Sequence, residues 1–316
     1  MNRTDKQPPV MQGQAFEERG SFMLRGLYTA AAGMITEQRR HDTATQNIVN
    51  MNTTGYKQVN SVNRSFPEML ITLTGGDANL PTKRLGRLNS GVFAEESLSM
   101  NVQGALMETK RTSDFAISSN LSVNDPQTNQ PVPFDASGKF VRADGTVTYQ
   151  PQAYFTVRDA QGNTRYTRDG HLEVNGTGQL LSSTGSQVLD SNGQPVVLTG
   201  SVEQFKVDEQ GRLVNAVTGV PTGVTLGISI IDQPNQLVRQ GDGNFSLNED
   251  DGATVRTMGA TDNVQIHQGY LEGSNVDASQ ATVDMNAAFR AYEANQKVIQ
   301  FYDRSLEKAV NEVGRV

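Results

Sequence analysis

The chain has 316 residues, 36% of them apolar, with a formal net charge of −7 and neither cysteine nor tryptophan. Without thiols there can be no disulfides, thiolate metal sites or cysteine nucleophiles, and the acidic balance gives no basic surface for nucleic acid or an anionic membrane. So small an apolar share suits slender domains with much polar surface better than one compact enzyme core, and no apolar run approaches the roughly 20 residues of a membrane-spanning helix.

Residues 1–22 are polar, include Pro8-Pro9, and show neither periodicity nor the apolar stretch of a cleaved secretory signal, so they read as a flexible tail. From Met23 a helix is predicted, because Leu27, Ala31, Met34, Gln38, His41, Thr45 and Ile48 recur at spacings of four and three on one face. Asn52-Thr53-Thr54-Gly55 offers the stop, glycine being able to turn left-handed past a helix end without steric cost. Residues 74–117 read as a linker or extended arm followed by the strands that enter the next domain, and 118–273 as a central β domain. Within it, 118–153, with Pro126, Pro131 and Pro133, reads as an irregular insertion.

Further on, Gly162, Gly170, Gly178, Gly185, Gly193, Gly200, Gly211 and Gly219 punctuate the chain at the spacing of short antiparallel strands. The pattern Gln-Gly-x-Leu occurs at Gln103 to Leu106 and again at Gln268 to Leu271, on the two flanks of this body. The echo predicts that the entering and leaving strands pair with each other.

A second helix is predicted from a capping-box start at Asp277 and Gln280. Met285, Phe289, Tyr292, Gln296, Ile299, Asp303, Leu306, Val310 and Val313 keep the four-three spacing along it. At 1.5 Å per residue it reaches roughly 54 Å, too long for a small neighbouring domain to cover. Left in water, such a seam forfeits roughly 1.5–3 kcal/mol per large apolar side chain. The first helix is the intrachain candidate partner, but its seam is small and polar, so further copies of the chain are the better one. The fold class predicted is α+β: residues 23–73 with 274–316 form a paired, coiled-coil-like assembly domain, and the centre is all-β. Leu27, Ala31, Met34, Ile48, Met285, Phe289, Tyr292, Ile299, Leu306 and Val310 are the expected packing residues. Arg290, Glu293, Lys297 and Arg304 lie off the seam, either as a solvated face or as charges that set register and partner choice.

Chemistry is not indicated. His41, His171 and His267 are scattered without a second ligand at metal spacing. There is no G-x-S-x-G elbow and no phosphate-binding glycine loop. Asp242, Glu249, Asp250, Asp251 and Asp262 sit in Gly-rich loops but miss the calcium-loop pattern, and read as solvated turn residues. We therefore expect no catalytic, metal or cofactor site, no small-molecule substrate and no enzyme.

The two ends carry a resemblance. Met23-Leu24-Arg25-Gly26-Leu27-Tyr28-Thr29-Ala30-Ala31-Ala32-Gly33-Met34, followed by Gln46-Asn47-Ile48-Val49-Asn50-Met51-Asn52-Thr53-Thr54-Gly55-Tyr56-Lys57, resembles the N-terminal signature of flagellar rod and hook proteins. Gly269-Tyr270-Leu271-Glu272-Gly273-Ser274-Asn275-Val276-Asp277 and Arg290-Ala291-Tyr292-Glu293-Ala294-Asn295-Gln296 resemble the C-terminal one. Between them, Gln103-Gly104-Ala105-Leu106, Asp114-Phe115-Ala116-Ile117 and Tyr166-Thr167-Arg168-Asp169-Gly170 resemble the distal-rod type. Tyr154-Phe155 arrives late, after the insertion, and Phe289 follows Ala287-Ala288 where larger residues are usual; both features are similar to the Gram-positive variant. Residues 1–22 have no counterpart, which leaves Met23 as an alternative start.

The resemblance implies a mechanical role. Terminal helices of many copies would pair and stack into an inner tube of the basal-body rod, around an export channel, with the β body outside. The expected partners are other copies in a helical homo-oligomer, other rod and hook proteins, and the flagellar type III export apparatus, which would carry the chain out without a cleaved signal. The alternatives are a hook or proximal-rod subunit of the same family, or an extracellular adhesin on a helical stalk.

Overall fold

The computed structural model describes residues 12–73, 83–95, 97–125, 129–241, 243–247, 254–259 and 261–313. The chain divides into two compact units, one of Met1–Thr45, Ser61–Ser97 and Gln280–Val316, the other of Gln46–Asn60 and Leu98–Ser279. Residues 61–73 group with the helices as in the sequence reading, and so does the following arm as far as Ser97, whereas Gln46–Asn60 groups with the β body.

In the helical unit, α1 spans Gln12–Val49 and α2 spans Ala278–Lys308, with a π turn at Ala309–Val313. The start of α1 corrects the expected tail, since residues 12–22 are helical. Gln12, Gln14, Ala15, Glu17, Glu18 and Arg19 are good helix formers, and extending an existing helix carries no nucleation cost. Residues 1–11 lie outside the described part.

Contacts between the helices run antiparallel. A Cβ at Gly26 would collide with Tyr302 Oη, and one at Gly33 would come 3.0 Å from Asn295 Nδ2. Arg40 Nη2 reaches Asp284 Oδ1 at 3.3 Å, and the His41 and Phe289 rings lie 6.3 Å apart. Glycines thus sit where the opposing side chains come nearest.

The segment after α1 is more ordered than a linker. Asn63–Ser65 pairs with Val92–Ala94, and Met69–Leu73 pairs with Lys83–Leu88 across a register shift between Ile71 and Thr72. Side chains of α1 cover a strand edge here: Thr36 Oγ1 donates to the carbonyl of Val92 at 3.4 Å, and Arg39 Nη1 to that of Ala94 at 3.3 Å. A strand edge otherwise leaves such groups unpaired.

The β unit is organised on Gln152–Arg158, buried along most of its length. One side of that strand pairs with Thr164–Thr167; the other pairs with Ile228–Ile231 over its first part and with Gln187–Val188 over its last. A nine-stranded sheet results, its core filled by Phe115, Ile117, Phe155, Val157, Leu172, Leu226, Ile228 and Ile266. Short aliphatics fill this core, which is why so few aromatic residues suffice.

The entering and leaving segments pair as the Gln-Gly-x-Leu echo predicts. Leu106–Glu108 runs antiparallel to Tyr270–Glu272, and Phe115–Ser119 to Val264–Gln268. A Cβ on Gly104 would strike the Gly273 carbonyl, so only glycine permits this approach.

One turn recurs throughout. At Asp135, Asp159, Asn175, Asp190 and Asp208, Oδ1 accepts the N–H groups two and four residues on. The third residue on is a glycine at positive φ, as hairpins closed by a type I turn and bulge require. The first of these turns lies inside the supposedly irregular insertion. Residues 118–153 also hold a hairpin, Lys139–Val141 with Val147–Tyr149, and bury Leu121 and Val132. The prolines hid the aspartate and glycine turn chemistry that orders this stretch.

Candidate assembly site

The helical unit presents faces of different character. Toward α2, α1 turns small residues: Ala30 and Ala44 are buried, with Gly26 and Gly33 at the close approaches. On α2 the buried positions are Ala281 and Ala288, followed at the same seven-residue spacing by the half-buried Asn295 and Tyr302. Small side chains let the backbones come near, and larger ones flank the line of contact.

This geometry rotates the predicted seam. Leu27, Ala31, Met34 and Ile48 on α1, and Met285, Tyr292, Ile299 and Leu306 on α2, are half-buried. Phe289 and Val310 are exposed, at 51% and 71%. Gln38, Gln296 and Asp303 are exposed as well, so the polar residues of the stripe stay in water. Arg290, Glu293, Lys297 and Arg304 are exposed without an ion-pair partner among the described residues. Sequence reasoning missed Gly26, Gly33, Ala281, Ala288 and Tyr302; their seven-residue spacing was the available signal.

Large apolar side chains share the exterior with these polar ones. Tyr28 and Ile35, seven residues apart on α1, are exposed, as are Val283, Val298 and Phe301 on α2. Val283 and Phe301 lie 18 residues apart, about five turns, and so point the same way. Large apolar side chains grouped on a helix surface mark an interaction face more often than a solvated one.

At the start of α2, Asp277 Oδ1 accepts the Ser279 N–H at 2.8 Å, the expected cap. Just before it, Asn275 accepts from the Gln58 N–H at 2.6 Å and donates to the Met100 carbonyl at 2.8 Å. Asn47 plays a matching part near the end of α1: its side chain bonds the N–H and carbonyl of Val59, at 2.9 and 2.8 Å, and accepts from Tyr56 Oη. Two asparagines thereby fix the segment that follows α1.

That segment carries Lys57 into a buried charge centre. Lys57 Nζ lies 2.6 Å from Glu272 Oε1, which also accepts the Gly104 N–H at 2.8 Å. Arg168 Nη1 lies 3.3 Å from Glu272 Oε2, and its guanidinium donates to Ile117 O and Gln152 Oε1. All three charged side chains are at most 1% exposed. Burial pushes the Lys57 ammonium down to about 8, against the pull of Glu272. Burial raises Glu272 as well, but Arg168 and Lys57 outweigh it and hold the carboxyl below its ordinary value. Gly55, at φ +67, lets the chain pass within 2.7 Å of the Arg168 backbone, measured from where a Cβ would stand.

A second pair ties the neighbouring turn. His171 Nδ1 lies 2.6 Å from the buried Asp114 Oδ1, and Glu173 stands 3.5 Å from Nε2. The hydrogen bond to Asp114 raises the His171 pKa above its ordinary value, against the burial of the ring and with help from Asp114, Asp169 and Glu173. A raised histidine pKa adds stability that is fully present below the unfolded value of 6.5 and is lost as pH rises through the folded one. In thermal melts, His171→Gln is therefore expected to cost most near pH 5.5 and progressively less by pH 8.5; an equal loss at both would assign the effect to packing.

No group of three or more metal-ligating side chains is present among the described residues, and no described helix is long and apolar enough to cross a membrane. Asp262 pairs with Arg256 at 2.6 and 2.8 Å; the other loop acids, Asp242, Glu249, Asp250 and Asp251, lie outside the described residues.

A family model described as Flagella basal body rod protein matches residues 27–57, one described as Flagellar hook protein FlgE/F/G D1 domain matches 150–215, and one described as Flagellar basal body rod FlgEFG protein C-terminal matches 267–312. The flagellar hook-basal body complex protein FlhO of Bacillus subtilis is 32% identical, over 93% of this chain and 100% of its own length. FlhP of the same organism, also a flagellar hook-basal body complex protein, is 27% identical over 90% of this chain and 97% of its own. Its flagellar basal-body rod protein FlgG is 28% identical over 92% and 99%.

Proposed function

This chain belongs to the flagellar basal-body rod and hook family, whose members are structural, and we propose that it is a subunit of the distal rod that self-assembles through its terminal helices into a tubular drive shaft. The observation that carries the assembly step is the apolar exterior of the helical unit. Tyr28, Ile35, Phe289, Val298, Phe301 and Val310 are exposed in the single chain and gain burial only against another one. α1 and α2 of one copy pair in a coiled-coil-like manner, and these outer side chains then pack on neighbouring copies.

Subunits added head to tail without closing give an open helical array, the geometry a rod needs. The β unit, with its own core and tightly held turns, forms the outer layer. The other rod and hook proteins are its neighbours, and the flagellar type III apparatus exports it. No step of this function calls for catalysis: the buried Lys57, Arg168 and Glu272 hold structure, and torque passes through packed surfaces.

Mass spectrometry with immunogold electron microscopy on purified hook-basal bodies tests the reading. The chain is expected between the motor and the hook. Its absence from intact basal bodies, with recovery elsewhere on the cell surface, would replace the rod by an adhesin.

A further inference from the structure

We propose that residues 54–60 form a strap that opens and closes on the β unit independently of its core, and that closure fixes the end of α1 and the lead into α2 in a single event. Neither step depends on the assembly reading above. The stretch Gln46–Asn60 belongs to the β unit, yet the two apolar clusters of that unit include none of its residues among those described. Polar contacts hold the strap instead.

These contacts come from separate parts of the chain. Thr54 Oγ1 donates to Asp169 Oδ1 at 2.8 Å, and the Gly55 N–H to the Glu272 carbonyl at 2.8 Å. Lys57 Nζ donates to the Val102 carbonyl at 2.8 Å as well as to Glu272, and the Gln58 carbonyl accepts the Met100 N–H at 2.7 Å. Tyr56 and Val59 are buried, Tyr56 with the Arg239 guanidinium 4.0 Å from its ring centre and Val59 in the short pairing of Val59–Asn60 with Leu98–Ser99. A segment held by so few apolar contacts opens at a lower free energy than the core it lies on.

Chain connectivity points the same way. Lys57 and Glu272 stand 215 residues apart. Closing so long a loop costs entropy that a few hydrogen bonds repay poorly, unless the β core has already brought its ends together. Both helix junctions then hang on the strap. Asn47, in the last turn of α1, spends its side chain on Val59 N–H, Val59 O and Tyr56 Oη, all three of them strap atoms. Just before α2, Asn275 accepts the Gln58 N–H at 2.6 Å and gives its own N–H to the Tyr56 carbonyl at 3.4 Å. Opening the strap breaks both sets, so the end of α1 and the lead into α2 loosen together.

Amide hydrogen exchange on the full-length protein tests both steps. In the wild type, the Gln58 and Val59 N–H groups are expected to exchange at least about tenfold faster than those of Phe155 and Ile230 in the core strands, and with a weaker dependence on urea, because a local opening exposes less surface than global unfolding. Gly55→Ala opposes closure directly: at φ +67 its Cβ would stand 2.7 Å from the Arg168 carbonyl carbon, and its three nearest atoms all belong to the docking site. That variant is expected to speed Gln58 and Val59, and with them Ile48 and Val49 at the end of α1, by at least about tenfold while Phe155 and Ile230 keep their wild-type rates. Asn275→Ala, which removes the Gln58 contact without backbone strain, should act in the same direction and serves if Gly55→Ala fails to fold. Glu272 is unsuitable for this purpose, since it also pairs with Arg168. Strap and core amides that exchange together with one urea dependence would make the β unit a single cooperative body and overturn the strap. Faster exchange confined to Gln58 and Val59 in both variants, with Ile48 and Val49 unmoved, would overturn the coupling to α1.

Discussion

Glu272→Gln is expected to destabilise the β unit by about 3–5 kcal/mol at pH 7, the usual cost of removing one partner from a buried ion pair. The substitution keeps the shape and most hydrogen bonds but leaves Lys57 and Arg168 buried with no counter-charge. Arg168 cannot escape by losing its proton. Lys57 can, since its pKa already lies near 8 instead of 10.5. Without Glu272 that value falls further, so over a wider span below 10.5 the unfolded chain holds a proton that the folded one has released. Stability then rises with pH across that span, and urea melts should show the loss shrinking between pH 7 and pH 10. An equal loss at both values would mean that the carboxylate matters for packing alone. Lys57→Met, which leaves Arg168 to pair with Glu272, should cost less than Glu272→Gln, because one cation and one anion remain.

The same three residues show where reading the sequence stops. Lys57, Arg168 and Glu272 each stand inside a motif that marked the family, yet they are far apart in the chain, and no local pattern says that their charges meet. The helices and the β body were legible because periodicity and turn chemistry are local. Period three and four showed α2, and glycines at strand spacing showed the sheet. The Gln-Gly-x-Leu echo was legible for a different reason: it named two equivalent segments, and Leu106–Glu108 does pair with Tyr270–Glu272.

The line of closest approach between the two helices lies beside the apolar stripe rather than on it. A stripe search favours large apolar residues and so chose Phe289 and Val310, which are exposed, over Ala281 and Ala288, which are buried. Close helix approach selects for what is missing from the side chain, and Gly26 opposite Tyr302 carries no hydrophobic signal at all. The early start of α1 escaped for a related reason. Residues 12–22 have no apolar period, and their helicity rests on propensity and on continuity with the helix beyond.

This division between inner and outer residues sets the second large effect. Phe301→Glu is expected to leave the isolated subunit unchanged, within about 0.5 kcal/mol in urea melts, because Phe301 is 68% exposed and packs on little. Assembly should respond very differently. Each large side chain buried at a subunit contact contributes roughly 1.5–3 kcal/mol, and a carboxylate placed there without a partner adds a desolvation penalty of its own. Since about 1.4 kcal/mol is a factor of ten in an equilibrium constant, incorporation should fall at least tenfold, read as loss of the subunit from purified basal bodies and loss of swimming. Gly26→Leu is the contrasting variant. It leaves the outer face intact but drives a side chain into Tyr302, so it should separate α1 from α2 within one subunit, lower helicity before assembly, and fail to incorporate for that earlier reason. If Phe301→Glu assembled normally while Gly26→Leu did not, the outer stripe would be a solvated face and contacts between copies would have to come from the β unit.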